Sequence, residues 1–378
     1  MHDKEFGNCL IYKKGRKPMT NKHGGDIYKY QPKYDFSANI NPLGVNEAIV
    51  TAARESLQDI ANYPDIRCGR LRSALALKLN VPEDYLYFGN GAADALFTLV
   101  LAGRPKKALL VSPTFAEYEQ ALQTVDCDIT YYELDSSKNF SVTENYLTAL
   151  TPDLNMVILC NPNNPVGNTI PHELLLRILK RCYELNITLV VDECFNDFLE
   201  DPKYHELTLE LGDYNNLVIL RAFTKMYAMA GLRLGFLMTA NNELLAKMNS
   251  VSQPWSVSIP AQAAGVVALD QEEYVAKTRA YIKKEQEFLC EALSGLRIQY
   301  FEPEANYIFF YDQIDWYKEL LEEGILIRDC SNYRGLTKGY YRIAIRTRLE
   351  NEALIKAMRK IKDEHKQAST EMEFEGSQ

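Results

Sequence analysis

Between Pro42 and Leu245 six short apolar runs recur, separated in places by helical patterns, and this alternation constrains the fold more than any other feature. The runs are ALLV (108–111), DITYYEL (128–134), NMVILC (155–160), ITLVVDE (187–193), NLVILRAF (216–223) and GFLMT (235–239). Amphipathic stretches such as ELLLRILKRCYEL (173–185) lie between some of them. Strands that alternate with helices predict an α/β layer with a mostly parallel sheet. Several runs are almost continuously apolar, as strands covered on both faces must be.

After Pro254 the pattern changes. Two long helical patterns, about 258–270 and 271–294, lead into RIQYF, ANYIFFY, GILIRD and YYRIAIR, and then into a helix from Glu350 to about Lys362. This predicts a smaller α/β domain with its own sheet. The resulting division is an N-terminal arm and substrate-loop segment (1–44), a large domain (45–255), a small C-terminal domain (256–362) and a polar, frayed tail (363–378).

A chain of 378 residues with 47% hydrophobic and 25% charged residues has ample material for folded domains and is neither collagen-like nor disordered. Its net charge of −9 argues against bulk nucleic-acid binding, which needs a basic face, so an anionic substrate must be held by a few local arginines. No apolar stretch approaches the roughly 18 residues of a membrane span. The first 22 residues lack the apolar core of a secretory signal. The eight cysteines, from Cys9 to Cys330, show no metal-ligand spacing and read as reduced, mostly buried thiols of a cytoplasmic protein.

Four motifs carry chemistry. In RAFTKMYAMAGLRLGF (221–236), Lys225 follows directly on a strand and Arg233 lies eight residues on. A lysine at a strand's carboxyl end can condense with an aldehyde when its surroundings favour the neutral amine. CNPNNPVGN (160–168) marks a rigid turn at a strand end, where α/β sheets place ligands. In VVDECFNDF (190–198) a strand ends in Asp192, whose carboxylate needs a partner in so apolar a setting, and a protonated ring nitrogen would serve. FGNGAADAL (88–96) is a glycine-rich turn opening a helix, and it offers backbone N–H groups to a phosphate.

In this order the four motifs resemble the fold-type I pyridoxal-phosphate enzymes, specifically the class I/II aminotransferase group, from about His23 to Met358. Within it the chain looks most like the threonine-phosphate decarboxylases of cobalamin side-chain synthesis, relatives of histidinol-phosphate aminotransferases. That closer likeness rests on HGGD (23–26), DFSANINPLG (35–44), PTFAEYEQAL (113–122), DECFNDF (192–198), QPWSVS (253–258), ILIRDCSNYRGL (325–336) and YYRIAIRT (340–347). The resemblance implies a large domain with a mostly parallel seven-stranded sheet, a smaller α/β domain, pyridoxal 5'-phosphate as cofactor and a homodimer in the cytoplasm. It also implies no metal.

By the same resemblance, Lys225 would hold the cofactor aldehyde and return a proton to the substrate carbon. Asp192 would pair with the pyridine nitrogen, Asn164 would donate to the ring's phenolic oxygen, and Phe115 would stack on the ring. Arg233, Thr224 and the N–H groups of Ala92 and Ala93 would hold the cofactor phosphate, joined by Tyr63 from the partner subunit. Arg342 would grip the substrate α-carboxylate. Arg328, Arg346, His23 and Asn41 complete the candidate substrate-binding set for a doubly anionic substrate.

Three positions depart from the aminotransferase pattern. Phe195 stands where a tyrosine usually donates to the phenolic oxygen, and this favours the decarboxylases, which also carry phenylalanine there. Ala222 and Ala93 stand where hydroxyl side chains can meet the cofactor phosphate. Each missing neutral hydrogen bond costs about 0.5–1.5 kcal/mol, so cofactor affinity is expected to be lower than in relatives. The implied reaction is decarboxylation of L-threonine O-3-phosphate, with L-serine O-phosphate as a close variant. The alternatives are an aminotransferase of the histidinol-phosphate type and, third, a non-catalytic homologue that kept the fold.

Overall fold

The computed structural model describes residues 23–375. Cys9 and the first 22 residues of the N-terminal arm lie outside them. An N-terminal segment supplies β1 (Tyr34–Asp35). The large unit contributes β2 (Leu86–Gly89), β3 (Lys107–Ser112), β4 (Asp128–Glu133), β5 (Met156–Cys160), β6 (Thr188–Asp192), β7 (Leu217–Ala222) and β8 (Gly235–Met238). Two long helices, Ile259–Leu269 and Glu272–Gly295, then lead to β9 (Gln299–Tyr300), β10 (Tyr307–Tyr311), β11 (Ile325–Leu326), β12 (Arg328–Asp329) and β13 (Tyr340–Ala344).

Among the described residues these strands form a seven-stranded sheet, ordered β2-β8-β7-β6-β5-β3-β4, a four-stranded sheet, β12-β13-β10-β9, and a two-stranded one, β1-β11. In the large sheet β4, β3, β5, β6 and β7 are parallel, while β8 runs against both β7 and β2. The six expected runs are β3 to β8; β2 was hidden in the glycine-rich motif. The apolar strands are covered on both faces. Leu109, Val111, Val157, Leu159, Leu189, Val191 and Ile219 pack into one core. Their neighbours Leu110, Met156, Ile158, Val190, Val218 and Leu220 pack into the opposite one.

The small sheet is antiparallel throughout and has a separate core around Trp316, Tyr307, Ile308, Phe310 and Ile343. The N-terminal segment is tied to this part rather than to the large sheet. β1 pairs in parallel with β11, Phe36 N–H donates to Leu326 O, and Ala344 N–H donates to Phe36 O.

The frayed tail expected from residue 363 is corrected: the last helix runs from Arg348 to Glu375. The segment beyond Lys362 is rich in strong helix formers, and Lys360–Glu364 and Asp363–Lys366 are pairs of opposite charge at helical spacing. Of the described cysteines none is paired; Cys68, Cys160, Cys182 and Cys330 are buried, and Cys127, Cys194 and Cys290 partly so. No described helix is long and apolar enough to cross a membrane, and the described residues hold no cluster of metal-ligating side chains.

Candidate active site

Because β2, β3, β5, β6 and β7 point the same way, the segments that follow them emerge on one edge of the large sheet, and β8 begins there. That edge gathers Ala92 after β2, Phe115 after β3, Asn164 after β5, Asp192 at the end of β6, Thr224 and Lys225 after β7, and Arg233 before β8. Ligands of open α/β sheets sit at such carboxyl ends.

Glycine makes one part of this edge possible. Gly91 has φ +90°, and a Cβ there would lie 2.5 Å from Arg233 Nη2. A Cβ on Gly235 would fall 2.2 Å from Ala92 N. The Arg233 guanidinium therefore lies against the start of the helix Ala92–Gly103, where the positive dipole end and free N–H groups also point. The result is a cradle for a phosphate. Ala222 pairs with Gly235 across β7 and β8, next to this cradle.

Asp192 is buried, with Oδ2 accepting from Tyr118 Oη at 2.6 Å and Oδ1 from Cys194 N at 2.9 Å. Burial pushes its carboxyl above the usual range, and these two donors only partly oppose the shift. Among the described residues Asp192 forms no salt bridge, although the charge of Lys225 also opposes the shift, so a protonated ring nitrogen would find a counter-charge here. Lys225 is half-buried and lies 5.6 Å from the Phe195 ring centroid. Burial first, and then the charges of Arg342 and Arg233, push its amine down from the ordinary lysine value, which favours the neutral, nucleophilic form.

Across the cavity stand two arginines directly opposite one another, Arg328 on β12 and Arg342 on β13. They are 6% and 5% exposed. Like charges at opposed positions destabilise a sheet, so buried together they mark an anion site. Arg342 donates through Nη1 to Asn164 Oδ1 and through Nη2 to Ser37 O at 2.8 Å, while its Nε is buried without a partner among the described residues. Arg328 donates to Asp329 O at 2.6 Å and to Asn332 Oδ1 at 2.9 Å. With Asn164 Oδ1 taken by Arg342, the amide is fixed with its NH₂ group left to act as donor. His23, Phe115, Asn164, Lys225, Arg328 and Arg342 line one cavity.

Three of the expected residues are elsewhere. Asn41 is corrected: its amide is spent on Met226 O at 2.7 Å and Thr278 Oγ1 at 2.9 Å, and its Oδ1 on Leu43 N, so it braces the lysine loop against the helix Glu272–Gly295. Arg346 is corrected too. It lies past the end of β13 and pairs with Glu350 at 3.1 Å, in the first turn of the last helix, off the cavity. Tyr63 is 78% exposed and stacks on Trp255, with centroids 4.5 Å apart, away from this chain's own cavity. Sequence reasoning missed Tyr118 and Glu117, although both lie in the quoted PTFAEYEQAL. They occupy the first turn of the helix Ala116–Gln123, and residue type alone did not distinguish them from packing.

Residues 31–361 match the family "Aminotransferase class I and II". The chain is 39% identical over 355 residues to the threonine-phosphate decarboxylase of Salmonella typhimurium, covering 91% of this chain and 97% of that protein. It is also similar to the solved histidinol-phosphate aminotransferase of Clostridium acetobutylicum, with a TM-score of 0.82 and 30% identity over 88% of this chain and 99% of that one. A third likeness is in fold alone: histidinol-phosphate aminotransferase from Sinorhizobium meliloti in complex with pyridoxal-5'-phosphate, TM-score 0.78, 19% identity, covering 89% of this chain and 94% of that one.

Proposed function

The chain belongs to the class I and II aminotransferase family, and from that premise we propose that it decarboxylates a phosphorylated amino acid, L-threonine O-3-phosphate, to the amino-alcohol phosphate and carbon dioxide. It is a pyridoxal-phosphate enzyme, and the cofactor supplies an electron sink for the pair left on the α-carbon. The residues fit that group. The glycine-lined cradle at Ala92 and Arg233 suits its phosphate, the buried Asp192 has no salt bridge among the described residues, and Lys225 is held in an environment that favours the free amine. Asn164 presents its NH₂ group and Phe115 its ring face. Ala93 and Thr224 complete the phosphate end, though alanine at 93 and 222 gives that end fewer donors than a hydroxyl would.

The observation that carries the substrate class is the opposed, buried pair Arg328 and Arg342, with His23 on the same cavity as Lys225. Arg342 would hold the α-carboxylate and Arg328 with His23 the phosphate. Holding both ends of the substrate would fix which bond at the α-carbon is placed to break, and with the carboxylate so placed carbon dioxide would leave. The C–C bond would break with its electron pair left on the α-carbon, and Lys225 Nζ, having taken a proton from the substrate's ammonium group, would deliver the proton that replaces the carboxylate. Phe195 supports decarboxylation, because it offers no hydroxyl where an aminotransferase has one. The 39% identity to a threonine-phosphate decarboxylase points the same way.

We further place the reaction in cobalamin side-chain synthesis in the cytoplasm, carried out by a two-fold dimer. The exposed Tyr63–Trp255 stack, near exposed Leu57, Ile60 and Ile66, would face the partner's cofactor. The deciding assay offers O-phosphothreonine, O-phosphoserine and histidinol phosphate, with and without 2-oxoglutarate. Carbon dioxide released without a keto acid is the expected result. Glutamate formed only when 2-oxoglutarate is present would make the protein an aminotransferase and overturn the proposal.

A further inference from the structure

A carboxylate with no role so far stands inside the anion-binding cavity. Glu117 lies in the first turn of the helix Ala116–Gln123 and lines the cavity with Lys225 and Arg342. Its Oε1 lies 2.9 Å from His23 Nδ1, and its Oε2 is buried with no hydrogen-bond partner among the described residues. Burial pushes its carboxyl up, while the charges of His23, Arg328 and Lys225 oppose the shift. Tyr333, buried on the same cavity, is the other titratable group facing it.

A lone carboxylate would repel a dianionic ligand from such a cavity. What changes its effect is the His23 ring beside it, which lines the same cavity. An imidazole held at Nδ1 by a carboxylate keeps its other nitrogen, Nε2, for a second partner. The same logic applies where a carboxylate orients a histidine for work at its far nitrogen.

We propose that Glu117 is a positioning residue for the substrate phosphate: it holds His23 through Nδ1 so that the ring's far nitrogen, Nε2, meets that phosphate, opposite Arg328. Resting on the phosphorylated-substrate reading, this makes His23 one jaw of a clamp rather than an exposed residue of a polar segment. The 53% exposure of the His23 side chain, against 12% for Glu117, fits a donor that reaches outward from a buried anchor.

The test uses ¹⁵N-histidine-labelled holoenzyme with inorganic phosphate as probe, the His23 signals being assigned by their loss in His23→Asn. In the wild type, added phosphate shifts the Nε2 signal of His23. In Glu117→Gln that shift needs more phosphate to appear, because phosphate binds about tenfold more weakly. The KM for O-phosphothreonine rises by a similar factor with kcat within about twofold, and Glu117→Asp restores part of the loss. His23→Asn should cost as much as Glu117→Gln, and the double variant no more than either. An unchanged Nε2 response and phosphate affinity in Glu117→Gln, or fully additive losses, would overturn the proposal. The nitrogen and phosphate readouts need no turnover. A protein that meets them yet releases no carbon dioxide would disprove the proposed reaction and leave this inference standing.

Discussion

The two walls of the cavity are built in different ways. The large-sheet wall gets Phe115, Asn164, Asp192 and Lys225 from strand ends that parallel pairing brings to one edge, inside cores closed on both faces. The facing wall takes His23 from the N-terminal segment and Arg328 and Arg342 from the small sheet. It is joined by the short β1–β11 pairing and a few bonds through Phe36 and Ser37. On the proposed reading, covalent chemistry sits on the part that cannot shift without breaking a core. Recognition of the substrate sits on a seam, complete only when segment and small sheet are docked together.

If that division holds, damage to the facing wall should spare the bound cofactor. Arg342→Ala removes charged hydrogen bonds worth about 2–3 kcal/mol, so kcat/KM should fall about 30- to 150-fold, mostly through KM. The visible absorption band of the bound cofactor should survive, and a bleached band would show that Arg342 belongs to the other wall.

Changes at the large-sheet wall should do the opposite. Gly91→Ala forces a Cβ to 2.5 Å from Arg233 Nη2 at φ +90°, and strain of about 1–3 kcal/mol should weaken cofactor binding about tenfold or more. Ala222→Ser should tighten it several-fold by adding a neutral donor worth about 0.5–1.5 kcal/mol. Equilibrium titration of the apoprotein checks both, and no gain from the serine would refute a role for that missing hydroxyl.

The smallest effect concerns stability. The folded value of Lys225 lies below its unfolded value, so its contribution is present above the unfolded lysine range near about 10.4 and is lost as pH falls through the folded value. At neutral pH the apoprotein therefore carries a penalty that Lys225→Met removes. The methionine variant should melt a few degrees higher near neutrality, with the difference closing as pH approaches 10. Melting curves that stay parallel across that range would place the lysine's cost elsewhere.

Legibility in the sequence follows the same division. Lys225, Asp192 and Asn164 could be read because each lies at or just past the end of an apolar strand, and a polar group there has few structural excuses. Arg328 and Arg342 could be read only within long motifs, and nothing in their spacing shows that they face each other across two strands. Asn41 and Arg346 looked alike as candidates yet are engaged elsewhere, by Thr278 and Met226 and by Glu350. Glu117 and Tyr118 went unnoticed because a carboxylate and a tyrosine in a first helical turn are ordinary surface and packing choices.

The order of strands and helices, the doubly covered sheet and the chemistry available at its edge were written in residue pattern, because apolar periodicity and strand-end placement are local properties. The pairing of Arg328 with Arg342, the Tyr118 bond to Asp192 and the contact of Glu117 with His23 were decided only in three dimensions. Each joins residues that strand register or chain docking brings together across the fold, and no local pattern encodes which distant group will fill the space beside a side chain.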